Sequence, residues 1–219
     1  MKIIVTGASG MVGEGVLLEC LRTEDVTEIL VVGRQHCGIT HPKLREILHA
    51  DFFNLALIEE SLSGFDACFF CLGVSSVLLS AENYKRMTYD LTLEMAQRLA
   101  RLNPNLSFCY VTGMNTDSTE KGSVRWARVK GATENELLHL FKYAYMFRPG
   151  AMTPVSGQKN IKFMYKLFFP FFPLFRLFVP NMFCTLEEVG RAMLACVRTH
   201  PANRIIEITD IKKLSRIGG

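Results

Sequence analysis

Two groups of residues in this chain carry chemistry by their types and spacing. The first is Gly7-Ala8-Ser9-Gly10-Met11-Val12-Gly13, with glycines at three-residue intervals. Glycines so placed let the main chain turn tightly off a strand, bring backbone N–H groups against a pyrophosphate, and let the next helix pack closely. Unpaired donors and the macrodipole at that helix start favour an anion by about 0.3–1 kcal/mol for each interaction. The second group is Trp126 and Lys130 within Val-Arg-Trp-Ala-Arg-Val-Lys-Gly, where the only tryptophan stands four residues before a lysine. On a helix these two side chains share a face. An indole N–H donates a hydrogen bond but cannot cycle a proton near neutral pH.

The elements needed to position these groups are legible around them. Ile3-Ile4-Val5-Thr6 is a β-branched run ending at glycine, as in a buried strand, and the apolar positions from Val16 to Leu21 recur at helical spacing. Residues 28–32 read as a second strand at βαβ distance, so Gly7, Ser9, Gly10, Met11, Val12 and Gly13 are expected to cradle a dinucleotide. A ribose without an extra phosphate usually meets an acidic side chain about 20 residues past the glycines. Arg34 occupies that place and could clamp a 2′-phosphate, so NADP is expected in preference to NAD.

Further strands are expected at 44–48, 67–72, 106–112 and 143–147, and helices at 55–62, 81–102 and 123–142. This alternation predicts an α/β fold, a doubly wound parallel sheet of the Rossmann type, as one domain over residues 1–219. Ligands of such sheets bind beyond the carboxyl ends of the strands. There lie Asp51, read as an acceptor for an adenine amine, and Phe52, read as lining the base. Leu72, Gly73, Arg148 and Pro149 complete the expected cofactor wall, and Thr112 ends the 106–112 strand.

Composition narrows the field. A net charge of +4 spread along 219 residues offers no basic stripe for nucleic acid. Seven cysteines lie mostly in apolar runs, which reads as buried thiols in a reducing compartment, and Cys68 and Cys71, three apart on a strand, should face opposite ways. The five histidines show no ligand spacing, so no metal site is expected. No secretory leader is read at the start, and a cytoplasmic location is the expectation.

Taken in order, GASGMVG at 7–13, FFCLG at 69–73, VKGATE at 129–134, FRPG at 147–150 and VGRAML at 189–194 resemble a short-chain dehydrogenase/reductase of the extended or atypical type. The likeness is to the Tat-interacting oxidoreductase-like group, with the NmrA-like proteins more distant. It implies hydride transfer between a nicotinamide and a carbonyl or alcohol, with a tyrosine passing the proton and a lysine one turn on that lowers its pKa and binds the nicotinamide ribose, which makes Lys130 an expected cofactor ligand as well. Lys130 matches that lysine, and Thr112 matches the hydroxyl that binds the substrate oxygen. The tyrosine position holds Trp126, and no tyrosine in the chain has a lysine four residues later. Substitute donors would have to come from Tyr84, Tyr89, Ser118, Thr119 or Ser123.

Eight of sixteen phenylalanines fall within 163–183, where Pro170 and Pro173 interrupt any helix, so a membrane span is not expected. Residues 155–184 are read as a C-terminal lid over an apolar substrate, with a homodimer contact or a peripheral membrane patch through 163–181 as the other readings. Thr185-Leu186-Glu187-Glu188 reads as a capping box, and 204–209 as a last edge strand. Two functions follow from the sequence: an NADP(H)-dependent reductase or epimerase-like enzyme acting on a lipophilic carbonyl compound, or a dinucleotide-binding sensor or interaction module that has lost the chemistry.

Overall fold

The computed structural model describes residues 1–77, 79–160 and 182–217. The chain begins β1 (Lys2–Thr6), α1 (Met11–Arg22), β2 (Glu28–Gly33), β3 (Leu44–Leu48) and β4 (Ala67–Phe70). It continues through α2 (Ala81–Lys85), α3 (Leu91–Leu102), β5 (Ser107–Val111), α4 (Arg125–Leu140) and β6 (Tyr143–Arg148). Then come β7 (Ala151–Thr153), β8 (Phe183–Thr185), α5 (Leu186–Thr199), β9 (Ile205–Glu207) and α6 (Ile208–Ser215). Seven strands pair in parallel in the order β3-β2-β1-β4-β5-β6-β9, and β7 pairs with β8 in a separate parallel ribbon.

The central strands are apolar and buried along most of their length, with polar residues mainly at strand ends and on the edge strand β3, so the sheet is covered on both faces. Ile3, Val5, Ile29, Val31, Phe69, Cys109, Tyr145 and Phe147 face one way, against Val16, Leu17 and Cys20 of α1, Val189 and Met193 of α5 and Ile211 of α6. Ile4, Leu30, Val32, Cys68, Phe70, Phe108, Tyr110 and Met146 face the other way, against Met95 and Leu99 of α3 and Leu137 of α4. Cys68 and Cys71 do lie on opposite faces. The polarity of the sheet brings every β-to-α loop to the same edge. Between β1 and β4 the strand order reverses, and that edge opens as a crevice.

Three expectations change in detail. Residues 55–62 form a 3-10 turn over Ala56–Leu62, and 81–102 is a helix interrupted by a wide π turn at Arg86–Asp90. The edge strand expected at 204–209 ends at Glu207, which caps α6: the Glu207 and Asp210 carboxylates answer each other's backbone N–H groups, a reciprocal box that stops the strand. The ribbon of β7 and β8 was not read from sequence, its strands being three residues each and thirty apart. The lid and dimer readings fall on 155–184 and the membrane reading on 163–181; residues 161–181 lie outside the described residues. Among the described residues no helix is long and apolar enough to cross a membrane, and no cluster of His, Cys, Asp and Glu could hold a metal.

The capping box at α5 is formed as expected. Thr185 Oγ1 accepts from Glu188 N at 2.9 Å, and Glu188 Oε2 accepts from Thr185 N at 2.7 Å. Thr185→Ala should cost about 1 kcal/mol and lower the thermal midpoint by about 2–4 °C for a domain of this size. Thermal denaturation followed by circular dichroism reads this directly, with the starting spectrum unchanged.

Candidate functional site

The glycine loop joins β1 to α1 with geometry suited to a phosphate. Gly7 has φ +71°, and a Cβ there would stand 2.8 Å from the Cys71 carbonyl and Leu72 N, so the loop lies flat on the end of β4. A Cβ on Gly13 would stand 2.2 Å from the Gly7 carbonyl oxygen, so the first turn of α1 closes onto the loop only because no side chain intervenes. The helix N-cap is Gly10, and no side chain caps it. Ser9 and Gly10 are exposed, Val12 is half-buried, and Met11 and Gly13 are buried. These features fit the anionic part of a dinucleotide.

One residue past the loop, the buried carboxylate of Glu14 accepts from Lys159 N at 2.8 Å and Asn160 N at 2.7 Å. The Gln158 side-chain amide donates to the Met11 carbonyl. The backbone that leaves β7 is thereby tied to the start of α1. Glu14 gave no signal in the sequence, because its partners lie 145 and 146 residues away.

Beyond the ends of β4, β5 and β6 lies a cleft of about 460 Å³, lined by Tyr84, Thr112, Trp126, Lys130, Pro149 and Met152 among others. It brings Thr112, Trp126, Lys130 and Pro149 together, as expected. Arg125, beside Trp126, donates to the carbonyls of Ser76 at 2.8 Å and Leu79 at 3.0 Å, holding the β4–α2 loop against α4. Lys130 Nζ donates to the Thr112 carbonyl at 2.8 Å and the Val111 carbonyl at 3.4 Å, which fixes the amine at the end of β5.

Arg148, expected at the cofactor, is instead buried in an ion pair. Its Nε donates to Glu134 Oε1 at 3.1 Å and Oε2 at 3.2 Å, and Nη2 donates to Glu134 Oε2 and to Ser118 Oγ. Nη1 reaches Glu207 Oε1 at 3.3 Å. Glu134 has no exposed surface, and a carboxylate so placed needs a charged, hydrogen-bonded partner. Arg148 is that partner, so its donors are turned inward and away from the expected cofactor wall. Glu134 was missed as a functional residue, although it stands one turn past Lys130 inside VKGATE; the spacing was the available signal.

Elsewhere the expected wall is mixed. Arg34 is exposed just past β2 and makes no ion pair among the described residues. Asp51 is exposed and accepts from Phe53 N at 3.0 Å, while Phe52 is buried in the core beside Leu55, Ile58 and Leu62, so its ring is not free to line a base. Leu72 packs against that same core, and Gly73 is exposed, with open space where a Cβ would stand.

Of the substitute proton donors, Tyr84 alone faces the cleft. Burial holds its phenol above the ordinary value. Tyr89 lines a different hollow with Lys85 and Arg128. Ser118 is engaged by Arg148, Thr119 Oγ1 donates to Asp117 Oδ1 at 2.6 Å, and Ser123 is exposed outside the cleft lining.

Burial pulls the Lys130 amine down to about 8, the Glu134 charge opposing the shift. A buried ammonium is penalised, so that penalty is full below about 8 and fades as pH rises toward the ordinary lysine value of 10.5; over that window the residue adds stability with rising pH. Carbon-13 NMR of the lysine Cε groups, in protein carrying labelled lysine and read across pH, should show Lys130 titrating near 8, well before the exposed lysines. Glu134→Gln should move the midpoint lower, since the opposing charge is gone.

Residues 3–120, more than half of the chain, match the model of the NAD dependent epimerase/dehydratase family. The rat (Rattus norvegicus) Protein HTATIP2 is 26% identical over 154 residues, a match covering 69% of this chain and 62% of that protein's length. Among solved structures, Helicobacter pylori ADP-L-glycero-D-manno-heptose-6-epimerase aligns over 100% of this chain and 81% of its own, with TM-score 0.69 and 15% identity. The dTDP-glucose 4,6-dehydratase DesIV of Streptomyces venezuelae, solved with NAD and TYD bound, aligns over 100% and 80%, with TM-score 0.70 and 16% identity. Bordetella bronchiseptica WbmF, solved with NAD+, aligns over 99% and 77%, with TM-score 0.69 and 16% identity. At such identities the solved structures establish the fold, the same parallel sheet flanked by helices, while the matched segment carrying the glycine loop establishes descent: this chain is a member of the NAD dependent epimerase/dehydratase family.

Proposed function

We propose that the protein is an NADP(H)-dependent oxidoreductase of the short-chain type, interconverting a lipophilic carbonyl compound and its alcohol. The observation that carries the reading is the convergence of Lys130, Thr112 and Tyr84 on one cleft, on the loop side of the sheet where Gly7 and Gly13 fit a phosphate. The NAD bound in the Bordetella and Streptomyces proteins supports a nicotinamide dinucleotide here. Arg34, exposed and without an ion pair among the described residues, favours the 2′-phosphate of NADP.

When bound, the nicotinamide supplies or accepts the hydride. The protein's own residues then have separable tasks. Lys130, which lines the cleft, has two N–H groups on backbone carbonyls and one left to meet the nicotinamide ribose or the substrate. Tyr84 is the phenol on the cleft wall that can hydrogen-bond a substrate oxygen and pass it a proton, although burial makes it a weaker acid than a free phenol. Trp126 shapes the apolar wall and cannot cycle a proton near neutral pH.

A second reading, a dinucleotide-binding module without turnover, is favoured by that same Trp126 at the tyrosine position. Titrating the intrinsic Trp126 fluorescence separates binding from catalysis. NADPH should quench the emission and accept its energy at lower concentration than NADH, and Arg34→Glu should weaken NADPH about tenfold or more while sparing NADH. Absence of binding by either cofactor would sink both readings. In a screen against apolar aldehydes and ketones, Trp126→Tyr should raise turnover over the parent; an active parent slowed by that change would assign the proton to another group.

A further inference from the structure

We infer that the cleft is polarised for an alcohol, with Thr112 acting only as an acceptor toward the ligand. The inference deepens the function proposed above and rests on the cleft being the substrate site. Thr112 Oγ1 carries one proton. Its two protein neighbours are Glu134 Oε1 at 2.6 Å and the Phe147 carbonyl at 3.1 Å, and both accept. Arg148 is forked across both oxygens of Glu134, so that carboxyl is an ionised acceptor. The Thr112 proton therefore points away from the cleft, and only lone pairs remain to face a ligand.

Lys130 sets the opposite polarity a short distance away. Below about 8 its amine is an ammonium with three donors. Two are used on the carbonyls of Val111 and Thr112, and one remains for the cleft that both residues line. An oxygen that meets both groups must donate to Thr112 and accept from Lys130. A hydroxyl does both; a carbonyl oxygen would place its lone pairs against those of Thr112, leaving one contact unmade. Glu134 is a positioning residue here: buried and out of the cleft, it decides which way the Thr112 proton points.

The preference can be read by binding alone, without turnover. The single tryptophan gives a single indole N–H resonance inside the cleft, so its shift reports occupancy. Cyclohexanol and cyclohexanone are titrated into the full chain without added cofactor, at about pH 7 so that the amine is protonated. The alcohol should bind about tenfold more tightly, which is about 1.4 kcal/mol. Thr112→Val, which keeps the shape and leaves Glu134 paired with Arg148, should bring the ratio to about one. Glu134→Gln, whose amide can donate to Thr112 and leave its proton only the longer contact to the Phe147 carbonyl, should reduce the alcohol preference. A ketone bound as tightly as the alcohol by the unaltered protein, or an alcohol preference kept in Thr112→Val, overturns the inference while leaving the substrate site in place. If neither ligand moves the Trp126 resonance, the substrate-site reading falls with it.

Discussion

A carboxylate without exposed surface has to be answered inside the protein, and the way Glu134 is answered sets the geometry of the cleft. Arg148, the last residue of β6, forks onto it, and Thr112, just past β5, donates to it. Removing either member of such a buried pair costs about 3–5 kcal/mol, so the three elements are held in one register. Trp126, Lys130 and Glu134 follow at four-residue steps along α4, and fixing the last fixes the others. The cation at the end of β5 and the indole beside it are placed by an ion pair that no ligand touches.

How much of this was legible depended on how local each signal is. The strand, glycine loop and helix at the start are contiguous, and their spacing gave both the fold class and the loop that fits a phosphate. The capping box at Thr185 was readable for the same reason. Arg148 reads as a cofactor ligand from its place beyond a strand, and its ion pair with Glu134 was not legible because Glu134 lies on another element. The burial of Phe52 was not legible because a ring at a strand end can turn outward or inward, and the packing with Leu55, Ile58 and Leu62 decides. The end of β9 needed a glutamate recognised as a cap, a role more often taken by serine, threonine or aspartate.

The departures from the resembled pattern concentrate on one side of the site. The phosphate end keeps what it needs: close backbone approach and a helix start without a side-chain cap. At the other end the phenol is exchanged for an indole, the threonine's proton is committed to Glu134, and the lysine is drawn down to about 8 by burial. A family that keeps its cofactor loop can alter the chemistry above it, because parallel strands deliver the two to the same edge through different loops.

The two ends are nonetheless not interchangeable parts. Glu14 sits at the foot of the phosphate-binding helix, yet the N–H groups it satisfies belong to Lys159 and Asn160, in the chain that leaves the far wall of the cleft. Grafting that wall from a relative would bury an unanswered carboxylate unless the donor backbone came with the same path. The seam along which such a chimera could be cut therefore runs through α1, not between the halves of the sheet.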